Sequence, residues 1–203
     1  MPMAGKLDLY RQFAADYTAG SDPTLVLTHP AKYLAIEGSG PPVYPDIADR
    51  LSALYSLALA IRDAARDRGR DYAISKLESQ CWGSRKGLGF LAEPPSHWRW
   101  RLLIRTPTFI TTADVKRAQV ELAGKRKEPA VHRARLTRLA EGRCLQVLHT
   151  GAYGLEARAI RLLHDFAQAN DLRLVGVHHD IFLNDPRKVP PDRLRTILRQ
   201  PVG

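Results

Sequence analysis

Apolar and polar residues alternate with a period of two along residues 175–186, VGVHHDIFLNDP. Successive side chains of an extended strand point to opposite faces, so this stretch predicts a strand with two different faces. One face is apolar apart from His179. The other face carries Gly176, His178, Asp180, Phe182 and Asn184. Two interpretations of that second face stay open at this point: the solvated side of a half-exposed sheet or the floor of a ligand site.

A repeat makes this strand interpretable. Residues 32–40 match 143–151 at an offset of 143 − 32 = 111, and residues 102–107 match the stretch ending at Pro201 at an offset of 201 − 107 = 94. Each half then reads strand, helix, strand, strand, and two such units can bury their open sheet faces by pairing. The sequence predicts an α+β fold of duplicated strand-helix-strand-strand units, with a central ligand cleft on a pseudo-twofold axis. We expect one domain over 1–203, with repeats over about 22–110 and 130–203.

The register of the two middle strands decides which residues share a face. An offset of 180 − 78 = 102 places Glu78 on Asp180, whereas an offset of 101 places Glu78 on His179. A slip of one residue exchanges the two faces of a strand. We adopt 102 because it keeps the polar faces together. It predicts that Glu78 and Asp180 face one cavity, with Leu77 and His179 on the opposite side.

Helical spacing of apolar residues predicts four helices. They cover residues 6–17, 47–65, 115–122 and 160–167. We expect the helices of the two repeats to lie on the same side of the sheet. A strand over 24–37 should be kinked at His29-Pro30, because proline cannot donate to a ladder. The glycine- and proline-rich stretch 83–95 predicts a long surface loop of the kind that serves as a lid or binding loop.

Aromatic residues accompany the middle strands. Trp98 and Trp100 share one strand face, which must be the inward one because the other face is mostly basic; inward means core or ligand cavity, and both stay open. Trp82 falls on the same face as Glu78. Tyr153 follows a glycine turn before a helix. It is either a ligand-binding residue or a simple hydrophobic staple of that helix.

Composition narrows the class of protein. No apolar run approaches the roughly 20 residues of a membrane span, and the N-terminus lacks a signal-peptide core, so we expect a cytoplasmic protein. Cys81 and Cys144 are the only cysteines, which predicts reduced thiols, no structural metal and no cofactor.

The net charge is +10, but the basic residues are dispersed. The one clearly basic stretch, 116–138, lacks interleaved aromatic residues, which argues against nucleic acid as a partner. The oligomeric state is left open.

Several stretches carry a family resemblance. His149-Thr-Gly-Ala-Tyr153, Trp98-Arg-Trp100, residues 176–187 and residues 196–201 resemble the GyrI-like small-molecule-binding family over nearly the whole chain. The resemblance is closer to its stand-alone bacterial branch, since no helix-turn-helix precedes these stretches. It implies a duplicated strand-helix-strand-strand fold with a ligand cleft. It also implies binding of hydrophobic, often cationic drugs and, in some stand-alone members, hydrolysis of cyclopropane-bearing genotoxins.

The resemblance and the strand faces together nominate the site residues. Glu78 and Asp180 are the catalytic candidates. The ligand-binding candidates are Trp82, Trp98, Trp100, Tyr153, His178 and Phe182. Where the family reads His-His-Glu-Ile-Tyr, this chain reads His178-His-Asp180-Ile-Phe182. The Asp180 carboxylate is shorter by one methylene than a glutamate, and Phe182 has no hydroxyl. A water held between these two side chains would therefore lose a hydrogen-bond partner. His178 has the alternative of a satisfied structural histidine.

The predicted function is therefore binding of a flat, hydrophobic aromatic small molecule, cationic or genotoxic, in an acidic and aromatic cleft. Hydrolysis of that molecule stays open because of Asp180 and Phe182. The alternative is an interaction protein that acts on a macromolecular partner such as DNA gyrase through its basic surface.

Overall fold

The computed structural model describes residues 6–42, 46–83, 92–125 and 129–203. The strands are β1 Thr24–Leu27, β2 Ala31–Ser39, β3 Leu77–Trp82, β4 Arg99–Thr106, β5 Arg135–Leu139, β6 Arg143–Thr150, β7 His178–Phe182 and β8 Arg195–Pro201. The helices are α1 Leu9–Gln12, α2 Asp46–Arg66, α3 Thr112–Lys125 and α4 Ala157–Ala169. The predicted α+β class is confirmed. Within these ranges no helix is both long and apolar enough to cross a membrane.

All eight strands form one sheet in the order β1-β6-β8-β7-β3-β4-β2-β5, and every neighbouring pair is antiparallel. Exchanging each strand of the first half for its counterpart in the second half gives the same order reversed. The two halves therefore share one strand order, which the predicted duplication requires; the duplication itself stays a prediction.

Each half contributes four strands, so the prediction of three was too low. The strand expected over 24–37 is interrupted at His29-Pro30 and forms β1, at one edge of the sheet, and β2, which is next to the opposite edge. A proline has no backbone N–H for the ladder, and the break lets the chain change direction there. β1 pairs with β6 of the second half, while β5 pairs with β2 of the first, so the two halves exchange their edge strands.

The helices α2 and α4 lie on the same side of the sheet, as predicted. α2 packs on β2 and β4, in a cluster that includes Leu34, Leu57 and Ile104, all essentially inaccessible to solvent. α4 packs on β6 and β8, in a cluster that includes Leu163 and Leu198. The strand register places the sheet residues of both clusters on one face. The central strands β3 and β7 run between the two helices.

The register between β3 and β7 contradicts the offset of 102. Ser79 lies opposite Asp180, and Gln80 lies opposite His179. Glu78 therefore shares its face with His179, and the prediction that it shares a face with Asp180 is wrong. Two forces explain this register: Leu77 is needed on the helix side to complete the core under α2, and an imidazole beside Glu78 compensates its charge, where a second carboxylate would repel it.

Candidate functional site

The helix side of the central strands forms a trough with α2 and α4 as its walls. Its floor consists of Ser79, Cys81, His178, Asp180 and Phe182. His178 is buried, whereas the other four floor residues are partly exposed. The trough exists because each helix covers the outer strands of its own half and leaves the central pair between them.

Asp180 lies in the middle of the floor and is held from two directions. His178 Nε2 lies 3.0 Å from Asp180 Oδ1, within hydrogen-bond distance, and Ser79 Oγ donates to Oδ2 at 3.2 Å. The Asp180 side chain keeps 22% of its surface exposed. A carboxylate can accept about four hydrogen bonds, so Asp180 retains acceptor capacity for a bound molecule or water. It is an oriented base that solvent can reach.

One end of the trough is aromatic. The rings of Tyr153 and Phe182 meet edge to face, with centroids 5.2 Å apart and planes at 74°. Tyr153 and Tyr55 of α2 are both partly exposed. Burial is the main cause that raises the pKa of both tyrosines, and the negative charge of Asp185 is the second. Their hydroxyls therefore stay protonated near neutral pH. This end offers ring surface and neutral hydrogen-bonding groups to an aromatic ligand.

The other end of the trough carries a thiol and an imidazole that stay uncharged. Burial, followed by the charge of Asp180, raises the pKa of Cys81 to about 12. Cys81 is therefore a thiol at neutral pH and a poor nucleophile. Burial and the neighbouring His178 lower the pKa of His164 on α4. Among the partly exposed floor residues, Asp180 is then the one whose side chain is suited to accept a proton.

The opposite face of the same strands is sealed around Glu78, which is inaccessible to solvent. Tyr17 Oη donates to Glu78 Oε1 at 2.8 Å, and His179 Nε2 lies 3.0 Å from Glu78 Oε2. That second approach is out of line for a hydrogen bond, so the contact is an ion pair held by charge. The N-terminal segment that carries Tyr17 covers this face, and Glu78 is not placed to touch a ligand in the trough.

Further charged groups extend around His179. Glu141 contacts His179 Nδ1 at 2.9 Å and Arg199 at 3.0 Å. Burial disfavours the imidazolium, but the carboxylates of Glu141 and Glu78 outweigh it and raise the pKa of His179 to about 9. Burial likewise raises the pKa of Glu141, but His179 and Arg199 bring it down to about 2. We call Tyr17, Glu78, Glu141, His179 and Arg199 the buried network.

The three tryptophans do not line the trough as a group. Trp82 lies on the face of the buried network, where Arg101 sits 5.6 Å from its ring centroid. Trp100 is 3% exposed and belongs to the core under α2, which decides between core and cavity for this residue. Trp98 lies in the loop before β4, and its indole donates to the Glu93 carbonyl at 3.0 Å. Most of the loop predicted over 83–95 lies outside the described residues.

The structure thus brings together four of the predicted site residues, Asp180, His178, Phe182 and Tyr153. The sequence-based prediction missed four others in the same trough. These are Tyr55, Ser79, Cys81 and His164. An offset of 101 between the two middle strands would have placed Glu78 on the face of His179. Ser79 and Cys81 point to the opposite face from Glu78, so this offset would have placed them on the face of Asp180. Tyr55 lies in the helix predicted over 47–65 from its apolar spacing, and no sequence signal distinguished His164.

No protein-family model matches this chain, and no curated protein does either. Solved structures do. An uncharacterized conserved protein from Listeria innocua is 26% identical, with a TM-score of 0.88, over 98% of this chain and 100% of that one. A hydrolase from Listeria innocua is also 26% identical over the same shares, with a TM-score of 0.84. The EcmrR C-terminal domain is 10% identical over 90% of this chain and 97% of that domain, with a TM-score of 0.60, and shows the fold alone. The α+β fold expected from the GyrI-like resemblance is therefore the one this chain adopts, whereas the duplication and the ligand cleft stay predictions.

Proposed function

We propose that this protein binds a flat, hydrophobic small molecule in the trough and hydrolyses it with Asp180 as general base. The observation that carries the proposal is the Asp180 carboxylate, which is fixed by His178 and Ser79 and is still partly exposed. The aromatic end of Tyr153 and Phe182 lies beside it. A held base next to ring surface is what water addition to a stacked substrate needs.

The similarity to a hydrolase from Listeria innocua supports a reaction of this class, since it extends over 98% of this chain at 26% identity. The more specific substrate comes from the GyrI-like resemblance: a cyclopropane ring attached to a flat conjugated body. The alternative, action on a macromolecular partner through the basic surface, stays a prediction of the sequence.

The proposed step adds one water molecule across one bond. Asp180 accepts a proton from water as the water oxygen attacks a ring carbon. A carbon–oxygen bond forms and a strained carbon–carbon bond breaks. Its electron pair passes into the conjugated body, which then takes the proton from Asp180. The product is the ring-opened alcohol, and the carboxylate is regenerated.

Two residues on the floor of the trough, His178 and Ser79, compensate for the shorter side chain of Asp180. Phe182 has no hydroxyl to bind the water, and Asp180 is one methylene shorter than the family's glutamate. His178 and Ser79 fix both carboxylate oxygens, so the shorter side chain is held in one orientation. Correct orientation of a reacting group contributes strongly to rate.

The test is turnover of a cyclopropane-bearing aromatic compound, followed chromatographically. Asp180→Asn should lower kcat by ~10²–10⁴-fold and leave the Kd within a few fold, because the amide keeps the shape and cannot accept the proton. Asp180→Glu should raise the rate by restoring reach. Asp192→Asn, at an exposed carboxylate, is the matched control and should match the wild type.

Two outcomes would overturn parts of this proposal. Binding without any turnover by the wild type would make the protein a sequestering binder. Absence of binding would remove the trough as a site for such molecules.

A further inference from the structure

A second concave surface lies at the far end of α2, away from the trough floor. The turn after α2 and the start of α3 border an open groove of about 430 Å³. Its lining consists of Arg68, Arg70, Phe109, Thr111, Asp114 and Arg117. The volume is within the range of small-molecule sites. The proposed hydrolysis uses none of these residues.

The single carboxylate of the groove is fully engaged. Asp114 Oδ1 accepts hydrogen bonds from Arg68, at 2.9 Å, and from Arg117. Asp114 Oδ2 accepts from the backbone N–H and the hydroxyl of Thr111, at 2.8 and 2.7 Å. Burial opposes the charge, but these hydrogen bonds and Arg68 hold the pKa of Asp114 well below its usual range. A cation would find no open carboxylate here.

The guanidinium groups are in excess. Three arginines face one carboxylate, so the lining carries 3 − 1 = +2 charges. Each guanidinium has five N–H donors, and Arg68 and Arg117 each direct one nitrogen to Asp114. Within the described ranges no carboxylate pairs with Arg70. The groove therefore retains several donors for an anion.

Phe109 adds an aromatic surface beside these donors. The guanidinium carbon of Arg70 lies 5.4 Å from the Phe109 ring centroid, and the ring is partly exposed. A guanidinium stacked on a ring is oriented, and an oriented fork matches two oxygens of a phosphate.

The fold does not require this arrangement. The turn that follows α4 in the second half reads Asn170-Asp171-Leu172 and contains no arginine, whereas the turn after α2 reads Arg68-Gly69-Arg70. Gly69 has a φ of +75°, a left-handed conformation that favours glycine. The turn places an arginine on either side of this glycine, and both line the groove.

We propose that the groove binds a phosphate monoester joined to a planar ring, such as a nucleoside monophosphate. Arg68, Arg70 and Arg117 hold the phosphate, and Phe109 contacts the ring. The site is separate from the trough, and its ligand does not take part in the proposed hydrolysis.

Calorimetric titration with adenosine monophosphate, inorganic phosphate and adenosine tests this site in the full chain. We expect adenosine monophosphate to bind more tightly than either of its parts. Arg70→Gln should weaken that binding by about tenfold or more, as loss of a charge-assisted hydrogen bond does. Phe109→Leu should remove the preference for adenosine monophosphate over inorganic phosphate.

The matched control is Arg66→Gln, at an exposed arginine that pairs with Asp63 outside the groove. It should change the affinity by less than about twofold, because exposed pairs contribute little. Arg117→Gln is a second groove variant, and thermal unfolding checks that all variants fold. No binding of adenosine monophosphate at millimolar concentration and low salt would overturn the proposal. An equal loss in Arg66→Gln and Arg70→Gln would also overturn it, because it would indicate diffuse attraction to a basic surface.

Discussion

The two faces of the central strand pair, β3 and β7, carry similar residues in opposite environments. Both faces pair a histidine with an acid: His179 with Glu78 on one, His178 with Asp180 on the other. His179 and Glu78 are inaccessible to solvent, whereas the Asp180 side chain is 22% exposed. The same chemical pair is thus sealed from solvent on one face, whereas on the other face its carboxylate stays accessible.

The difference lies in what covers each face. The N-terminal segment carrying Tyr17 closes the first face, and the buried network satisfies the charges it encloses. The second face stays open between α2 and α4. A charged group needs partners where water is excluded and can act on a ligand where water or substrate can enter. Burial therefore assigns the roles that residue type alone leaves open.

Adjacent histidines give the largest test of this contrast. His179→Leu removes the positive partner between Glu78 and Glu141 and should destabilise the fold by about 3–5 kcal/mol. His178→Leu, one residue away, leaves Asp180 in contact with solvent and should cost about 1 kcal/mol. Urea unfolding of both variants measures the difference. Equal losses would mean that the two faces do not differ as described.

The pH dependence of stability sharpens the contrast. The pKa of His179 is raised from 6.5 to about 9 in the folded chain, so its contribution is complete below pH 6.5 and is lost as pH rises through 9. The pKa of Glu141 is lowered from 4.5 to about 2, so its contribution is complete above 4.5 and is lost as pH falls through 2. Thermal unfolding should therefore show a decline in Tm between about pH 6.5 and 9.

His179→Gln is the control for that decline. It should remove the loss between pH 6.5 and 9, whereas His178→Gln should keep it. The buried thiol of Cys144, with a pKa raised to about 11 by burial and Glu141, adds a loss only above its unfolded value of 9. A wild-type Tm that stays level from pH 6.5 to 9 would contradict the role assigned to His179.

Much of the fold could be predicted from local patterns. The apolar stripe of α2 and the matching strands at offsets 111 and 94 indicated two similar units, because packing needs leave a periodic signal. The edge strands could not be placed in the same way. Thr24–Leu27 pairs with Arg143–Thr150, far along the chain, and no local pattern encodes a partner at that distance.

The site was predicted only in part, for a related reason. Asp180, His178 and Phe182 belong to one strand, so alternation alone placed them on one face. Glu78 was misplaced because its face depends on a register between two strands. That register follows from where Leu77 packs and from the charge of His179, and neither is visible in an alternating pattern.

A smaller effect is expected at the aromatic end of the trough. Tyr153→Ala removes a ring that contacts Phe182 edge to face. A ligand ring packed on Tyr153 would lose an aromatic contact of about 0.5–1.5 kcal/mol, so its Kd should rise by about two- to tenfold. Tyr153 is 42% exposed, and stability should change little. Fluorescence titration measures the affinity, and an unchanged Kd would place the ligand elsewhere.

The smallest effect concerns Ser79, which lies directly across from Asp180 on the neighbouring strand. Its hydroxyl donates to Asp180 Oδ2 at 3.2 Å, and we assign it to positioning the carboxylate. Ser79→Ala removes one hydrogen bond of about 1 kcal/mol, so kcat should fall by about fivefold. The KM should stay near the wild-type value, because Ser79 is assigned no contact with the substrate. Ser79→Thr keeps the hydroxyl and should restore kcat, which a role in packing alone does not predict. If Ser79→Ala raised KM and left kcat unchanged, Ser79 would bind the ligand and Asp180 would owe its orientation to His178 alone.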